Sequence, residues 1–127
     1  MPREIAVIDD DEPFRMALVD SLFSLGYGAE GYCSAEDYID GIARKSFDCL
    51  VTDIHMSGMS GLELMQELIA RGFKTPVVLV TAHTELNLEM RAAAAGAVCL
   101  LRKPFEMNDL IECIERALSN STPPPNP

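Results

Sequence analysis

Short apolar runs recur along the chain and predict a sheet that is buried on both faces. Four of these runs cover residues 5–8, 49–52, 77–81 and 98–101, and each is rich in Val, Ile or Leu. Because consecutive residues are apolar, rather than every second one, we expect strands that are covered on both sides, as in a parallel sheet. A weaker run at residues 28–32 predicts a fifth strand at an edge of the sheet.

Helical patterns separate the strands. Apolar residues three and four positions apart form stripes that fit one face of a helix. Three such stripes are Phe14, Ala17, Leu18, Leu22 and Leu25; Leu62, Met65, Leu68 and Ile69; and Leu110, Ile111, Ile114 and Leu118. Ser34 followed by Asp37 predicts the start of another helix over residues 35–44, and a further helix should cover residues 86–95. Five strands alternating with five helices predict a doubly wound α/β domain.

Composition and charge narrow the classes of protein that fit. The 127 residues suffice for one domain, and 48% hydrophobic with 24% charged residues is typical of a globular chain. No apolar run approaches the ~18 residues of a membrane helix, and the start lacks a signal-peptide pattern, so we expect a cytoplasmic protein. A formal net charge of −10 should repel phosphate backbones, which argues against direct binding of nucleic acid by this domain.

Two further features concern domain organisation and redox state. The segment 119–127 is rich in proline and predicts a linker or tail after a globular domain that spans residues 1–118. The four cysteines form no Cys-x-x-Cys pair and lie among apolar residues. We therefore expect buried, reduced thiols rather than a zinc site or a disulfide framework.

Polar residues follow four of the predicted strands. Residues 9–12 are Asp-Asp-Asp-Glu, Asp53 follows the third strand, Thr81 ends the fourth and Lys103 follows the fifth. The carboxyl ends of parallel strands meet at one edge of the sheet, where ligands of doubly wound folds bind. Carboxylates gathered there require neutralisation, and oxygen ligands favour Mg²⁺. With an ammonium and a hydroxyl group, the set has the parts needed to form and hold an aspartyl phosphate.

Two other kinds of site share parts of this pattern. A flavodoxin-type cofactor site has the same fold, but its first loop would be rich in glycine and hydroxyl groups, whereas the acidic run at 9–12 would repel a phosphate that is not accompanied by a metal ion. A phosphohydrolase with an aspartyl intermediate would have a second carboxylate two residues after the nucleophile, and that position is His55.

Four segments in order resemble the receiver domain of two-component response regulators. They are Val-Ile-Asp-Asp-Asp-Glu-Pro at 7–13, Asp-Ile-His-Met-Ser-Gly-Met-Ser-Gly-Leu-Glu-Leu at 53–64, Pro-Val-Val-Leu-Val-Thr-Ala at 76–82, and Ala-Gly-Ala at 95–97 followed by Lys-Pro-Phe at 103–105. The resemblance extends from residue 5 to about residue 118. The sequence of these segments is most similar to that of receivers that are often joined to helix-turn-helix output domains.

The resemblance implies a flavodoxin-like fold with strand order 2-1-3-4-5, in which the first and third strands are neighbours. By position in the motifs, Asp53 would be the phosphorylated residue. Asp10 and Asp53 would bind Mg²⁺ directly, Asp9 would assist through water, and the backbone carbonyl of His55 would be a further protein ligand. Mg²⁺ would be the cofactor of this site.

The resemblance also implies roles at the other strand ends. Thr81 would hydrogen-bond a phosphoryl oxygen, Lys103 would pair with the phosphoryl group, and the Lys103–Pro104 peptide bond would be cis. The protein would be a signalling receiver rather than an enzyme, apart from taking part in its own phosphorylation and dephosphorylation. A histidine kinase would donate the phosphoryl group.

The resemblance further implies an output face. The fourth helix, fifth strand and fifth helix would bind either a second copy of the receiver or an attached output domain that regulates transcription. Retention of the phosphoacceptor motifs argues against a receiver that has become a pure interaction module.

Two positions depart from the common receiver pattern, and two histidines lie near the predicted site. Ser57 replaces a frequent proline, so we expect a less rigid loop after Asp53. Leu100 replaces a frequent aromatic residue, so we expect no aromatic rotamer switch. His55 and His83 lie near the predicted site, where they are either exposed loop residues without a role or groups that screen the phosphoryl group from water.

Overall fold

The computed structural model describes residues 2–121, with side chains to residue 119, and strands alternate with helices throughout. The elements are β1 (Glu4–Ile8), α1 (Glu12–Ser24), β2 (Gly28–Tyr32), α2 (Ala35–Asp40), β3 (Cys49–Asp53), α3 (Gly61–Ala70), β4 (Val77–Thr81), α4 (Leu88–Ala95), β5 (Cys99–Arg102) and α5 (Met107–Ser121). The five predicted strands and five predicted helices are therefore confirmed.

The five strands form one parallel sheet in the order β2-β1-β3-β4-β5. The predicted flavodoxin-like, doubly wound fold is thereby confirmed, and β2 lies at an edge as expected. Strand β1 pairs with β3 in a register that sets Ile8 opposite Thr52. The next residues along each strand are Asp9 and Asp53, so the topology places these two carboxylates at neighbouring strand ends.

Apolar residues on alternate positions of each strand enter two core layers, one on each face of the sheet. On the first face, Ala6, Ile8 and Leu50 pack with residues of α2, α3 and α4. On the second face, Ile5 and Val51 pack with residues of α1 and α5. Burial on both faces explains why the strands are apolar at consecutive positions rather than at every second one.

Several predicted boundaries differ from the structure. Helix α2 ends at Asp40 rather than at residue 44, because Gly41 disfavours the helix. The chain continues in turns whose hydrogen bonds join residues three positions apart, such as the Gly41 N–H and the Tyr38 carbonyl at 3.1 Å. Helix α4 begins two residues later than predicted, and β5 is shifted by one residue towards the carboxyl terminus. Helix α5 includes residues 119–121 of the predicted tail, and residues 122–127 lie outside the described part.

The prediction of buried thiols is correct for two cysteines and wrong for the other two. All four are free thiols; Cys49 and Cys113 are buried, but Cys33 is exposed and Cys99 is half-buried. Cys33 follows the edge strand β2, where only one neighbouring strand gives cover. Burial raises the pKa of the Cys49 thiol to about 12, which keeps it in the unreactive protonated form.

No helix in residues 2–121 is long and apolar enough to cross a membrane.

Candidate functional site

Three carboxylates meet where β1 and β3 end. One oxygen atom from each of Asp9, Asp10 and Asp53 lies within 4.8 Å of the others. Asp9 is 1% exposed and Asp53 is 9% exposed, whereas Asp10 faces solvent. The backbone N–H of Asp11 donates to Asp9 Oδ1 at 2.9 Å and fixes that carboxylate. The cluster therefore has a buried floor and an open side.

Lys103 reaches the same cluster from the end of β5. Its Nζ atom lies 2.9 Å from Asp9 Oδ2 and 3.2 Å from Asp53 Oδ2, and it donates a hydrogen bond to each. The ammonium also lies 3.9 Å from the centroid of the Phe14 ring, a cation–π contact that helps to fix its position. The Lys103–Pro104 peptide bond is cis, as predicted.

Burial and neighbouring charges shift the pKa values of two members of the cluster. Burial raises the pKa of Asp9 above its ordinary value, and this effect exceeds the lowering by the Asp11 N–H and by Lys103. Burial acts to lower the pKa of Lys103, but Asp9 and Asp53 outweigh it, so the pKa is raised and the ammonium stays charged. One ammonium among three carboxylates leaves excess negative charge, which suits a further cation.

Thr81 ends β4 with a fully buried side chain. Its Oγ1 atom accepts a hydrogen bond from the His83 backbone N–H at 3.0 Å and lies 3.3 Å from His55 Nδ1. The Lys103 backbone N–H donates to the Thr81 carbonyl at 2.7 Å, which ties the ends of β4 and β5 together. Thr81 thus lies between the loop after β3 and the loop after β4.

Two backbone hydrogen bonds attach the loop after β3 to carboxylates of the acidic cluster. The backbone N–H of His55 donates to Asp53 Oδ1 at 3.2 Å, and the N–H of Ser57 donates to Asp10 Oδ2 at 3.4 Å. A proline at position 57 has no N–H and could not make the second bond. The departure from the common receiver sequence therefore provides a contact between the loop and Asp10.

Helix α3 begins so close to β3 that its first residue must be glycine. A Cβ atom on Gly61 would lie 2.4 Å from the backbone carbonyl oxygen of Asp53. The start of the helix is also fixed by a reciprocal capping box between Ser60 and Glu63. The Ser-x-x-Glu pattern at residues 60–63 marks this helix start in the sequence.

Gly61→Ala should lower the free energy of unfolding by about 2 kcal/mol, because backbone atoms at Asp53 must move to admit the methyl group. Urea denaturation followed by circular dichroism measures the loss. The matched control is Gly41→Ala, whose added Cβ would meet its nearest neighbour at 3.8 Å, an ordinary contact. Equal stability of the two variants would show that the close approach at Gly61 is not energetically important.

The structure brings the predicted site residues to one edge of the sheet. Lys103 contacts both Asp9 and Asp53, and Asp10 belongs to the same carboxylate cluster. The His55 N–H donates to Asp53, and the Thr81 carbonyl accepts from the Lys103 N–H. Sequence analysis missed Phe14, which it assigned to the core stripe of α1, and also Arg15, whose Nη1 donates to the Asp9 carbonyl at 2.7 Å. No sequence pattern marks either residue, because both contacts depend on how α1 packs.

Comparison with known proteins agrees with this arrangement. The family description "Response regulator receiver domain" matches residues 5–115. The chain belongs to the response regulator receiver family. Within that family, this receiver is 36% identical over 119 residues to the transcriptional regulatory protein FixJ of Bradyrhizobium diazoefficiens. It is 34% identical over 121 residues to the DNA-binding transcriptional regulator NtrC of Klebsiella pneumoniae.

The relatives are longer than this receiver. The match covers 94% of this chain in both cases, but 58% of FixJ and 26% of NtrC. Among solved structures, FixJ-N has a TM-score of 0.86 and 34% identity, with 94% of this chain and 95% of that chain covered. Full-length FixJ from B. japonicum has a TM-score of 0.88 and 36% identity, with 95% of this chain and 60% of that chain covered.

Proposed function

We propose that this receiver accepts a phosphoryl group on Asp53 from a phosphohistidine of a sensor kinase. The observation that carries the proposal is the contact of one ammonium, Lys103 Nζ, with both Asp53 and Asp9 at the edge of the sheet. In the reaction an Asp53 carboxylate oxygen attacks phosphorus, the phosphorus–nitrogen bond breaks, and the kinase imidazole leaves and takes up a proton. This partner implies a cytoplasmic location.

The acidic cluster fits a resident Mg²⁺ ion. Its donors are carboxylate oxygens, which hard cations prefer, and its negative charge exceeds the single ammonium beside it. Asp10 and Asp53 would hold the ion directly, with the His55 backbone carbonyl as a further ligand and Asp9 acting through water. When bound, the ion neutralises negative charge on the phosphoryl oxygens.

Lys103 and Thr81 would bind the phosphoryl group after transfer. Lys103 already lies 3.2 Å from Asp53, so its ammonium can pair with a phosphoryl oxygen without leaving Asp9. The Thr81 hydroxyl, which contacts His55 and His83, is the donor at the end of the neighbouring strand. Because the acceptor is the protein's own side chain, the domain is a signalling receiver and not an enzyme that turns over a separate substrate.

Incubation with acetyl phosphate and Mg²⁺ tests the proposal. The receiver should gain one phosphoryl group per chain that is stable in acid and labile in base, as an acyl phosphate is. Mass spectrometry measures the gain. Chelation of Mg²⁺ should suppress it, because the clustered carboxylates would then repel the incoming phosphate. Equal labelling with and without Mg²⁺ would contradict the proposed site.

A hydrogen-bonded path leads from Thr81 towards the proposed output face. Thr81 contacts the His83 N–H, Arg102 donates to the His83 carbonyl, and the Arg102 guanidinium lies 3.4 Å from Glu89 on α4. Leu86, in the loop before this helix, is 99% exposed, and Met90 on the helix is 76% exposed. We propose that the α4–β5–α5 face binds a second receiver or an attached output domain, and that this domain does not itself bind nucleic acid.

Beryllofluoride, an analogue of the phosphoryl group, should shift amide resonances along this path when Mg²⁺ is present. We expect changes at residues 81–91 as well as at Asp53, because a bound acceptor would draw Thr81 away from His83. In Thr81→Ala, shifts at Asp53 should persist while those in α4 shrink. With Leu100 in place of an aromatic residue, the response should involve no ring flip. Shifts confined to the acidic cluster in the wild type would contradict this output path.

A further inference from the structure

A second cluster of metal-ligating side chains lies beside the acidic cluster. It consists of His55, from the loop after β3, and His83 and Glu85, from the loop after β4. One ligand atom from each lies within 4.8 Å of the others. His55 Nε2 is 3.5 Å and His83 Nδ1 is 3.6 Å from the same atom, Glu85 Oε1. The chain contains two histidines in all, and both are in this cluster.

These separations are close to those of ligands around a tetrahedral zinc ion. Zinc–nitrogen and zinc–oxygen bonds of about 2.0–2.1 Å set ligand atoms roughly 3.3–3.4 Å apart at tetrahedral angles. The two rings stack with centroids 3.7 Å apart. Coordination therefore requires the His83 ring, whose side chain is 51% exposed, to turn its nitrogen towards the shared position. An exposed ring at a loop can make that rotation within its rotamer range.

Neighbouring groups already orient two of the ligands. Thr81 Oγ1 lies 3.3 Å from His55 Nδ1, so a proton on Nδ1 would leave Nε2 free to bind a metal. A partner of this kind on the second ring nitrogen is typical of metal-binding histidines. Arg91 Nη1 lies 4.0 Å from Glu85 Oε2, which leaves Oε1 facing the histidines. Both features reduce the reorganisation that binding would need.

We propose that His55, His83 and Glu85 bind one divalent transition-metal ion of the Zn²⁺ class. The ligands would be His55 Nε2, His83 Nδ1 and Glu85 Oε1, with water in the fourth position. Imidazole nitrogen favours transition metals, whereas the all-oxygen acidic cluster favours Mg²⁺, so the two sites differ in chemistry. An ion here would join the loops after β3 and β4 across Thr81. The proposal does not depend on phosphorylation of Asp53.

Cobalt(II) serves as the probe, because a four-coordinate site gives it visible absorption bands. The untagged, reduced protein is titrated with Co²⁺ in excess Mg²⁺, which occupies the acidic cluster. We expect one Co²⁺ per chain, intense visible bands, no sulfur-to-cobalt charge-transfer band, and displacement by Zn²⁺. Absence of the visible bands, or a charge-transfer band from cysteine, would overturn the proposal.

Variants test which side chains bind the ion. His83→Ala and Glu85→Gln should each weaken Co²⁺ binding by more than about tenfold. The matched controls are Glu89→Gln, which removes a neighbouring exposed carboxylate, and Cys33→Ser, which removes the exposed thiol. Both controls should bind like the wild type. Wild-type affinity in His83→Ala, or loss of binding in either control, would contradict the assignment. Thermal melting without metal verifies that each variant is folded.

Discussion

Asp53→Asn should reduce labelling by acetyl phosphate to background, because an amide is not a nucleophile that can replace the carboxylate. The structure indicates that the variant will fold. Asparagine keeps one of the two oxygens, which can still accept from the His55 N–H at the Oδ1 position, while its amide nitrogen replaces the Oδ2 atom that accepts from Lys103. It has nearly the same volume as aspartate at a site that is 9% exposed. A loss of labelling will therefore report on chemistry rather than on unfolding. Mass spectrometry measures the label, and circular dichroism verifies the fold.

The control for Asp53→Asn is Asp20→Asn. It removes the same charge from the exposed end of α1, away from the cluster, and should be labelled like the wild type. Undiminished labelling of Asp53→Asn would move the phosphoryl group to another residue. The neighbouring carboxylates Asp9 and Asp10 would then be the first candidates, because they share the same edge of the sheet.

Lys103→Met should destabilise the metal-free protein by about 2–3 kcal/mol at neutral pH and should strongly reduce labelling. The substitution keeps an apolar chain against Phe14 but removes the ammonium that is shared by Asp9 and Asp53. A buried carboxylate without its partner costs several kcal/mol, and the 17% exposure of the Lys103 side chain reduces this amount. Urea denaturation in the presence of a chelator measures the effect.

The pH dependence of this loss has a defined sign. The folded-state pKa of Lys103 is raised, so its contribution to stability is present below its ordinary value of 10.5 and is lost as the pH rises above it. Removing the ammonium should raise the pKa of Asp9 further above 3.8. Protonation of Asp9 then relieves the charge penalty in acid. The stability difference between wild type and variant should therefore be largest near neutral pH and should shrink as the pH falls.

Lys45→Met is the matched control for this prediction. Lys45 also pairs with a carboxylate, Glu4 Oε1 at 3.0 Å, and also lies over a phenylalanine ring, that of Phe47. Its side chain is 42% exposed, however, and exposed ion pairs contribute less than about 1 kcal/mol. A loss in Lys103→Met no greater than that in Lys45→Met would show that burial of the pair at the cluster has little energetic weight.

The sequence by itself determined the parallel sheet and the identity of the polar residues at the carboxyl ends of its strands. Consecutive apolar residues at 5–8 and 77–81 predicted strands that are buried on both faces, and the structure confirms them. Parallel strands have their carboxyl ends at the same side, so the positions of Asp9, Asp53 and Lys103 after predicted strands already implied that they lie at one edge of the sheet. These features are local or follow from topology, which is why a pattern along the chain reveals them.

The ends of helices were harder to predict from the sequence than their existence, because a single glycine or capping residue can outweigh the hydrophobic pattern. The sequence predicted a helix over residues 35–44, yet α2 ends at Asp40, before Gly41. The capping box at Ser60 was present in the sequence and fixes the start of α3. A hydrophobic stripe indicates which face is buried, whereas caps and glycines decide where hydrogen bonding stops.

Only the tertiary structure decided which side chains touch. The hydrogen bonds from Lys103 to Asp9 and Asp53 join residues that are 94 and 50 positions apart in the chain. The placement of Phe14 under the Lys103 ammonium also depends on the packing of α1, and the cluster of His55, His83 and Glu85 depends on the meeting of two loops. No local pattern encodes such contacts, because their geometry is set by how both core layers pack against the sheet.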